Sequence, residues 1–283
     1  MSSIIANCPT CGSVLDPGYG AGCPQCSAAS SSITQPQPRL WGTGTALLVW
    51  MASFILTIGV PLVFGLLYLV AKIAQTRQPP TEEALSQDVT LALISLGTIL
   101  PAHLLILLIC WLVVTSGGKR PFLQTISWGR LTPLDWVYAI TLAGLMMVAG
   151  YVFQKLLPHR ETSFEKLLNL SYSVRVMAAA LAVLTAPLVE EVVYRGVLYA
   201  GIERDWGKTA GVVVVTFLFF AVHVYQYRES YAALSAIVTL SLALTLLRAL
   251  TGKLAPCVVT HLVYNGIQAA WLLFAPESAA DSQ

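Results

Sequence analysis

The sequence predicts an all-α, polytopic transmembrane helix bundle preceded by a small four-cysteine zinc ribbon. Three observations predict it. Hydrophobic residues make up 56% of the 283 and charged residues only 11%, with a mean hydropathy of +0.72, whereas soluble domains carry about a quarter charged residues. From Trp41 onward, apolar runs long enough to cross roughly 30 Å of hydrocarbon recur between short polar stretches. Four of the six cysteines fall in the first 26 residues, apart from any apolar run. The net charge of +2 is spread over loops, so no basic stripe points to nucleic acid as a partner.

Residues 1–26 read as the ribbon. Cys8-Pro9-Thr10-Cys11-Gly12 and Cys23-Pro24-Gln25-Cys26 are two CxxC knuckles separated by 11 residues. That spacing lets four thiolates, Cys8, Cys11, Cys23 and Cys26, converge tetrahedrally on a structural Zn. The competing reading is two disulfides in an exported domain, but the polar, uncharged start MSSIIAN is no signal peptide, which favours a reducing, cytoplasmic side. A unit with so little core needs its metal to fold. Residues 27–40, rich in Ser, Gln and Pro, read as a flexible linker that gives the ribbon freedom to meet a protein partner.

Residues 41–283 form the membrane domain. Seven spans are expected, near 46–71, 89–114, 134–157, 176–202, 208–227, 231–250 and 254–274, and a split of one long span would give eight. Pro61 and Pro101 should kink the first two. Loop charges do not orient the bundle: with the N-terminus inside, the cytoplasmic side carries Arg39, Lys119, Arg120, Arg130, Arg204, Lys208, Arg248 and Lys253. The other side carries Lys72, Arg77, Lys155, Arg160, Lys166, Arg175 and Arg228, a near balance under the positive-inside rule. The ribbon decides for a cytoplasmic N-terminus, as in a bacterial inner-membrane protein. Between the third and fourth spans, Thr162 and Glu165 have capping-box spacing ahead of an apolar stripe, which predicts a short helix suited to the membrane interface.

Ionisable residues inside a span are costly, which makes each a functional candidate. Pro187-Leu188-Val189-Glu190-Glu191-Val192-Val193-Tyr194-Arg195 sets two carboxylates and a guanidinium in apolar helix. Arg195 lies four residues after Glu191 on the same face and should neutralise it as a structural pair. Glu190, rotated by roughly 100°, is left as the carboxylate available for general-base work. The next span offers His223 with Phe219 one turn before it. The last offers His261 and Asn265, again four apart. Glu190, His223, His261 and Asn265 suit the handling of one water and one carbonyl: a Glu takes the proton, a His shares that task or binds metal, and the remaining His and Asn donate to an oxyanion. Against this stands ordinary helix-to-helix hydrogen bonding, which is the preferred reading for His103, a histidine with no partner motif. Cys110 and Cys257 read as inert, buried small side chains.

Over residues 134–275 the chain resembles the CAAX protease and bacteriocin-processing family of membrane peptidases. Its three motifs occur in order as Glu190-Glu191-x-x-x-Arg195, Phe219-x-x-x-His223 and His261-x-x-x-Asn265. The resemblance implies a peptidase in which Glu190 and His223 activate water, while His261 and Asn265 hold the oxyanion or complete a metal site. Glu190, His223 and His261 could supply three ligands to a catalytic Zn, as in a metallopeptidase, but no HExxH pairs two of them on one helix, and a metal-free glutamate mechanism fits the spacing equally. The expected substrate is a membrane-associated peptide or protein, prenylated in the CAAX manner if the resemblance extends so far. Two other classes use the same residues: an immunity-type membrane protein that holds a peptide without cutting it, and a transporter with Glu190 and His223 as proton relay. The absence of an internal repeat ranks the transporter last.

Overall fold

The computed structural model describes residues 41–274 and, near the N-terminus, the residue pairs Ala6–Asn7 and Val14–Leu15. The chain divides into two units, Met1–Leu40 and Trp41–Gln283. In the first, β1 (Ala6–Asn7) pairs antiparallel with β2 (Val14–Leu15), Ala6 opposite Leu15 and Asn7 opposite Val14. Cys8, Cys11, Cys23, Cys26 and the linker lie outside the described residues.

The described residues of the second unit form helices joined by short connections, and the chain is an integral, multi-pass membrane protein. The first span, α1 (Thr43–Thr76), runs on past Pro61. A short α2 (Glu82–Ser86) leads to the second span, built of α3 (Val89–Gly97) and α4 (Ile99–Thr115). Its interruption at Thr98 lies just before Pro101, where the missing proline N–H and ring disfavour continuous helix. After α5 (Phe122–Thr125) comes the third span, α6 (Pro133–Leu156), which starts with Pro133 at its first position and a full capping box between Thr132 and Asp135. The short α7 (Ser163–Leu168) has the predicted capping box, with Glu165 accepting from Thr162 N and Thr162 Oγ1 accepting from Glu165 N.

Among the described residues, six helices are long and apolar enough to cross a membrane, and the fourth, Tyr172–Tyr227, is 56 residues long. It is made of α8 (Tyr172–Leu184), α9 (Ala186–Glu191), a π-helical segment (Val192–Leu198) and α10 (Tyr199–Tyr227), the last broken at Gly207. The Tyr194 and Phe219 ring centroids are 4.9 Å apart, whereas a straight helix would hold these residues roughly 37 Å apart. The chain therefore doubles back at Gly207, whose φ of 86° suits glycine, and the doubled helix supplies two of the seven expected passes. The last two are α11 (Tyr231–Thr251) and α12 (Ala255–Phe274).

The core is centred on the π-helical segment. Val192, Val193, Val197, Leu198 and Ile202 pack with Ile106, Cys110, Val114 and Phe219. Close approach of α1 is enforced at Gly201, where an added Cβ would meet Ala46 Cβ at 2.7 Å. Because lipid is as apolar as leucine, such small-residue contacts and interhelical hydrogen bonds hold a membrane bundle together. Large apolar side chains such as Leu67, Val70, Val213 and Leu250 are left on the outside, as a lipid-facing surface requires. Arg248, counted above among loop charges, is in fact buried in α11. It donates to the carbonyls of Arg195, Ile126 and Gly252, so local composition at a span end misassigned it.

Candidate active site

The site begins at a helix break. Pro187 brings no N–H to the turn before it, and α8 ends at Leu184 with Thr185 at φ −123°, ψ −42°. Asn265 Nδ2, from α12, donates to Ala182 O at this break, at 2.8 Å. The next turn carries Glu190 and Glu191, and then the helix widens into its π-helical segment, all seven residues of which are buried. Such segments are rare and concentrate at functional sites. Outside donors serve its carbonyls: Trp41 Nε1 donates to Val197 O at 2.8 Å and Arg248 Nε to Arg195 O at 3.2 Å.

The two adjacent carboxylates have unlike surroundings. Glu191 is fully buried, and its Oε1 accepts from Arg195 Nη1 at 2.9 Å and from His261 Nδ1 at 2.8 Å. Arg195 is equally buried. Its Nε reaches Thr245 Oγ1, its Nη2 reaches both Ser241 O and Ser241 Oγ, and its guanidinium lies 4.9 Å from the centroid of Phe219. Every nitrogen of that guanidinium therefore has a partner, which offsets the desolvation of a charge in hydrocarbon. The Glu190 side chain remains 28% exposed, and its recorded ionic neighbour is His261, Nε2 to Oε2, at 3.9 Å, too long for a direct hydrogen bond.

Hydrogen-bond partners fix where the imidazole protons sit. His223 Nδ1 is 2.7 Å from Phe219 O; a carbonyl only accepts, so Nδ1 carries a proton, and in the neutral ring Nε2 is the nitrogen with the lone pair. The ring is bracketed along α10 by Phe219 at 4.7 Å and Tyr227 at 6.4 Å. Tyr227 in turn meets Phe164 of α7 edge-on at 5.9 Å, so the capped helix touches the residue that flanks His223. His261 directs Nδ1 to the Glu191 carboxylate and Nε2 toward Glu190.

The structure thus brings Glu190, Glu191, Arg195 and His261 into one cluster. His223 is tied to it through Phe219, and Asn265 anchors the break that precedes it. Among the described residues, no group of three or more His, Cys, Asp or Glu side chains is arranged to hold a metal ion. Cys110 and Cys257 are buried free thiols. Sequence reasoning missed Trp50, whose Nε1 donates to Tyr194 Oη at 3.2 Å, and Tyr227. The recurrence of Phe219, His223 and Tyr227 at four-residue steps was a legible sign of one helix face.

Residues 172–267 match the family described as type II CAAX prenyl endopeptidase Rce1-like. No curated protein and no solved structure gives a significant match. The matched segment is about a third of the chain, and it includes the helix break, the π-helical segment and all three motifs. Over that segment the chain is similar to the CAAX protease family of membrane endopeptidases.

Proposed function

We propose that this protein is an intramembrane endopeptidase that hydrolyses a peptide bond of a membrane-associated substrate, with Glu190 and His223 activating the water. The observation that carries the reading is the unlike state of the paired carboxylates: Glu191 is buried, its Oε1 held by Arg195 and His261, while Glu190 is accessible, with His261 Nε2 3.9 Å away. A half-desolvated carboxylate and an imidazole with a bare Nε2 are both suited to take a proton from water as its oxygen attacks the carbonyl carbon. Glu190 then returns a proton to the leaving amine nitrogen. Glu191 holds the His261 Nδ1–H and turns Nε2 toward the open side, where a protonated Nε2 donates to the developing oxyanion. Asn265 spends one amide N–H on Ala182 O and retains a second for the same oxyanion. A prenylated CAAX-type peptide is the substrate class that the family suggests.

The reading is tested by incubating purified protein in nanodiscs with a detergent-extracted membrane fraction and identifying new peptide termini by mass spectrometry. Termini made by the wild type and not by Glu190→Gln support it. Identical sets, with both proteins folded, would favour peptide binding of the immunity type.

The N-terminal unit is proposed to be a cytoplasmic zinc ribbon held by Cys8, Cys11, Cys23 and Cys26, in a protein of a bacterial inner membrane. One zinc per chain by elemental analysis, lost on Cys8→Ser with Cys11→Ser, is the expected result; equal zinc in both would contradict it.

A further inference from the structure

The break before the glutamates is held from two sides, and only one of them belongs to the matched segment. Asn265 of α12 donates to Ala182 O. From the second span, His103 of α4 places Nδ1 3.0 Å from Thr185 Oγ1. His103 lies outside residues 172–267 and is buried at 7% exposure. Thr185 Oγ1 donates its own proton back to Leu181 O at 3.3 Å, so in the contact with His103 it accepts, and the imidazole proton sits on Nδ1. Thr185 is the residue at which α8 stops and α9 starts, and Val189 N donates to Thr185 O at 3.1 Å, one residue before Glu190.

We infer that His103 is a positioning residue for Glu190: its Nδ1–H holds the Thr185 turn, and through it the turn that presents the accessible carboxylate. The inference rests on the peptidase reading for its consequence in catalysis, though not for its geometry. A helix interrupted by proline has lost backbone hydrogen bonds that would otherwise set the direction of the next turn. Asn265 of α12 serves a backbone carbonyl there, Ala182 O, and His103 of α4 holds the Thr185 hydroxyl, which couples the second and last spans to the position of one carboxylate. Mere packing predicts that any side chain of similar volume would serve. Positioning through Nδ1 predicts that only a donor at the Nδ1 place serves.

The two amide side chains separate these cases, because the Asn amide nitrogen can occupy the place of Nδ1, whereas the Gln amide reaches the place of Nε2. Hydrogen–deuterium exchange is followed on full-length protein in nanodiscs for wild type, His103→Leu, His103→Asn and His103→Gln. Peptides covering residues 183–191 are compared with peptides covering residues 231–251. The expected result is exchange roughly ten-fold faster across residues 183–191 in the Leu and Gln variants, the size expected for one lost buried hydrogen bond. His103→Asn should stay close to wild type, and residues 231–251 should not change. Wild-type exchange in the Leu variant, equal behaviour of Asn and Gln, or acceleration spread over both regions would overturn the inference. Glu190-dependent cleavage measured on the same samples should follow the exchange order. The expected exchange pattern without any Glu190-dependent cleavage would sink the peptidase reading and leave the positioning role intact.

Discussion

Glu190 and Glu191 are neighbours in sequence and opposites in environment. Glu191 looks inward to a fully buried guanidinium and an imidazole, while Glu190 looks to an accessible space across which His261 Nε2 stands 3.9 Å away. About 100° of helical rotation separates a structural ion from a reactive one. A membrane interior makes this contrast sharper than water would. A buried carboxylate without compensation would take up a proton, so the ionised Glu191 requires Arg195, and Arg195 in turn requires Ser241 and Thr245. The same knot holds His261 by its Nδ1, so the buried side sets the orientation of an imidazole whose Nε2 faces the open side.

The comparison can be broken most forcefully on the open side. Glu190→Gln should reduce cleavage by up to about 10⁴-fold and leave the melting temperature in nanodiscs unchanged; a large fall in melting temperature would show that both glutamates are structural. On the buried side the effect should be on folding. Arg195→Ala leaves the buried Glu191 with His261 but without its guanidinium and should cost about 3–5 kcal/mol, visible as a collapse of the monodisperse fraction after detergent extraction. Normal yield would end the division of roles between the two glutamates. The contrast is sharpened by replacing Glu191 and Arg195 together with Leu and Met, which should recover much of the yield without restoring activity.

Smaller effects lie farther from the knot. Arg248→Met removes donors from three carbonyls, including that of Arg195, and should lower stability by about 1–3 kcal/mol, with activity per folded molecule falling less than in Glu190→Gln. The smallest effect is expected at Asp88, which caps α3 through Leu91 N and meets Lys72 and Tyr68. Burial pushes its carboxyl up, but Lys72, the Leu91 N–H and Tyr68 together hold it below the usual carboxylate range. A depressed value means that its contribution is present above the ordinary carboxylate pKa and fades as pH falls through the lowered one. Asp88→Ala should cost about 1 kcal/mol at neutral pH, and the difference from wild type should shrink in acid.

The class of fold and the pairing of Glu191 with Arg195 were legible because composition and helical periodicity act locally. The capping box at Thr162 and Glu165 was legible for the same reason. The Gly207 reversal could be anticipated as a polar gap between apolar runs, although its geometry depends on a positive φ that only the fold displays. His103 and Thr185 could not be paired from the sequence, since 82 residues separate them and no local pattern encodes a contact between α4 and the break. The π-helical segment was equally hidden: Val192–Leu198 has ordinary helical composition, and its wider turn depends on donors such as Trp41 and Arg248 from distant elements. Asn265 was read as an oxyanion donor, and its hold on Ala182 O became visible only with the break in place.

The most direct test expresses wild type and Glu190→Gln at equal levels in cells and compares the peptide termini of their membrane proteomes. The account predicts a set of termini that appears with the wild type and vanishes with Glu190→Gln, from protein of equal abundance and equal thermal stability. Identical termini from two equally folded proteins would contradict it.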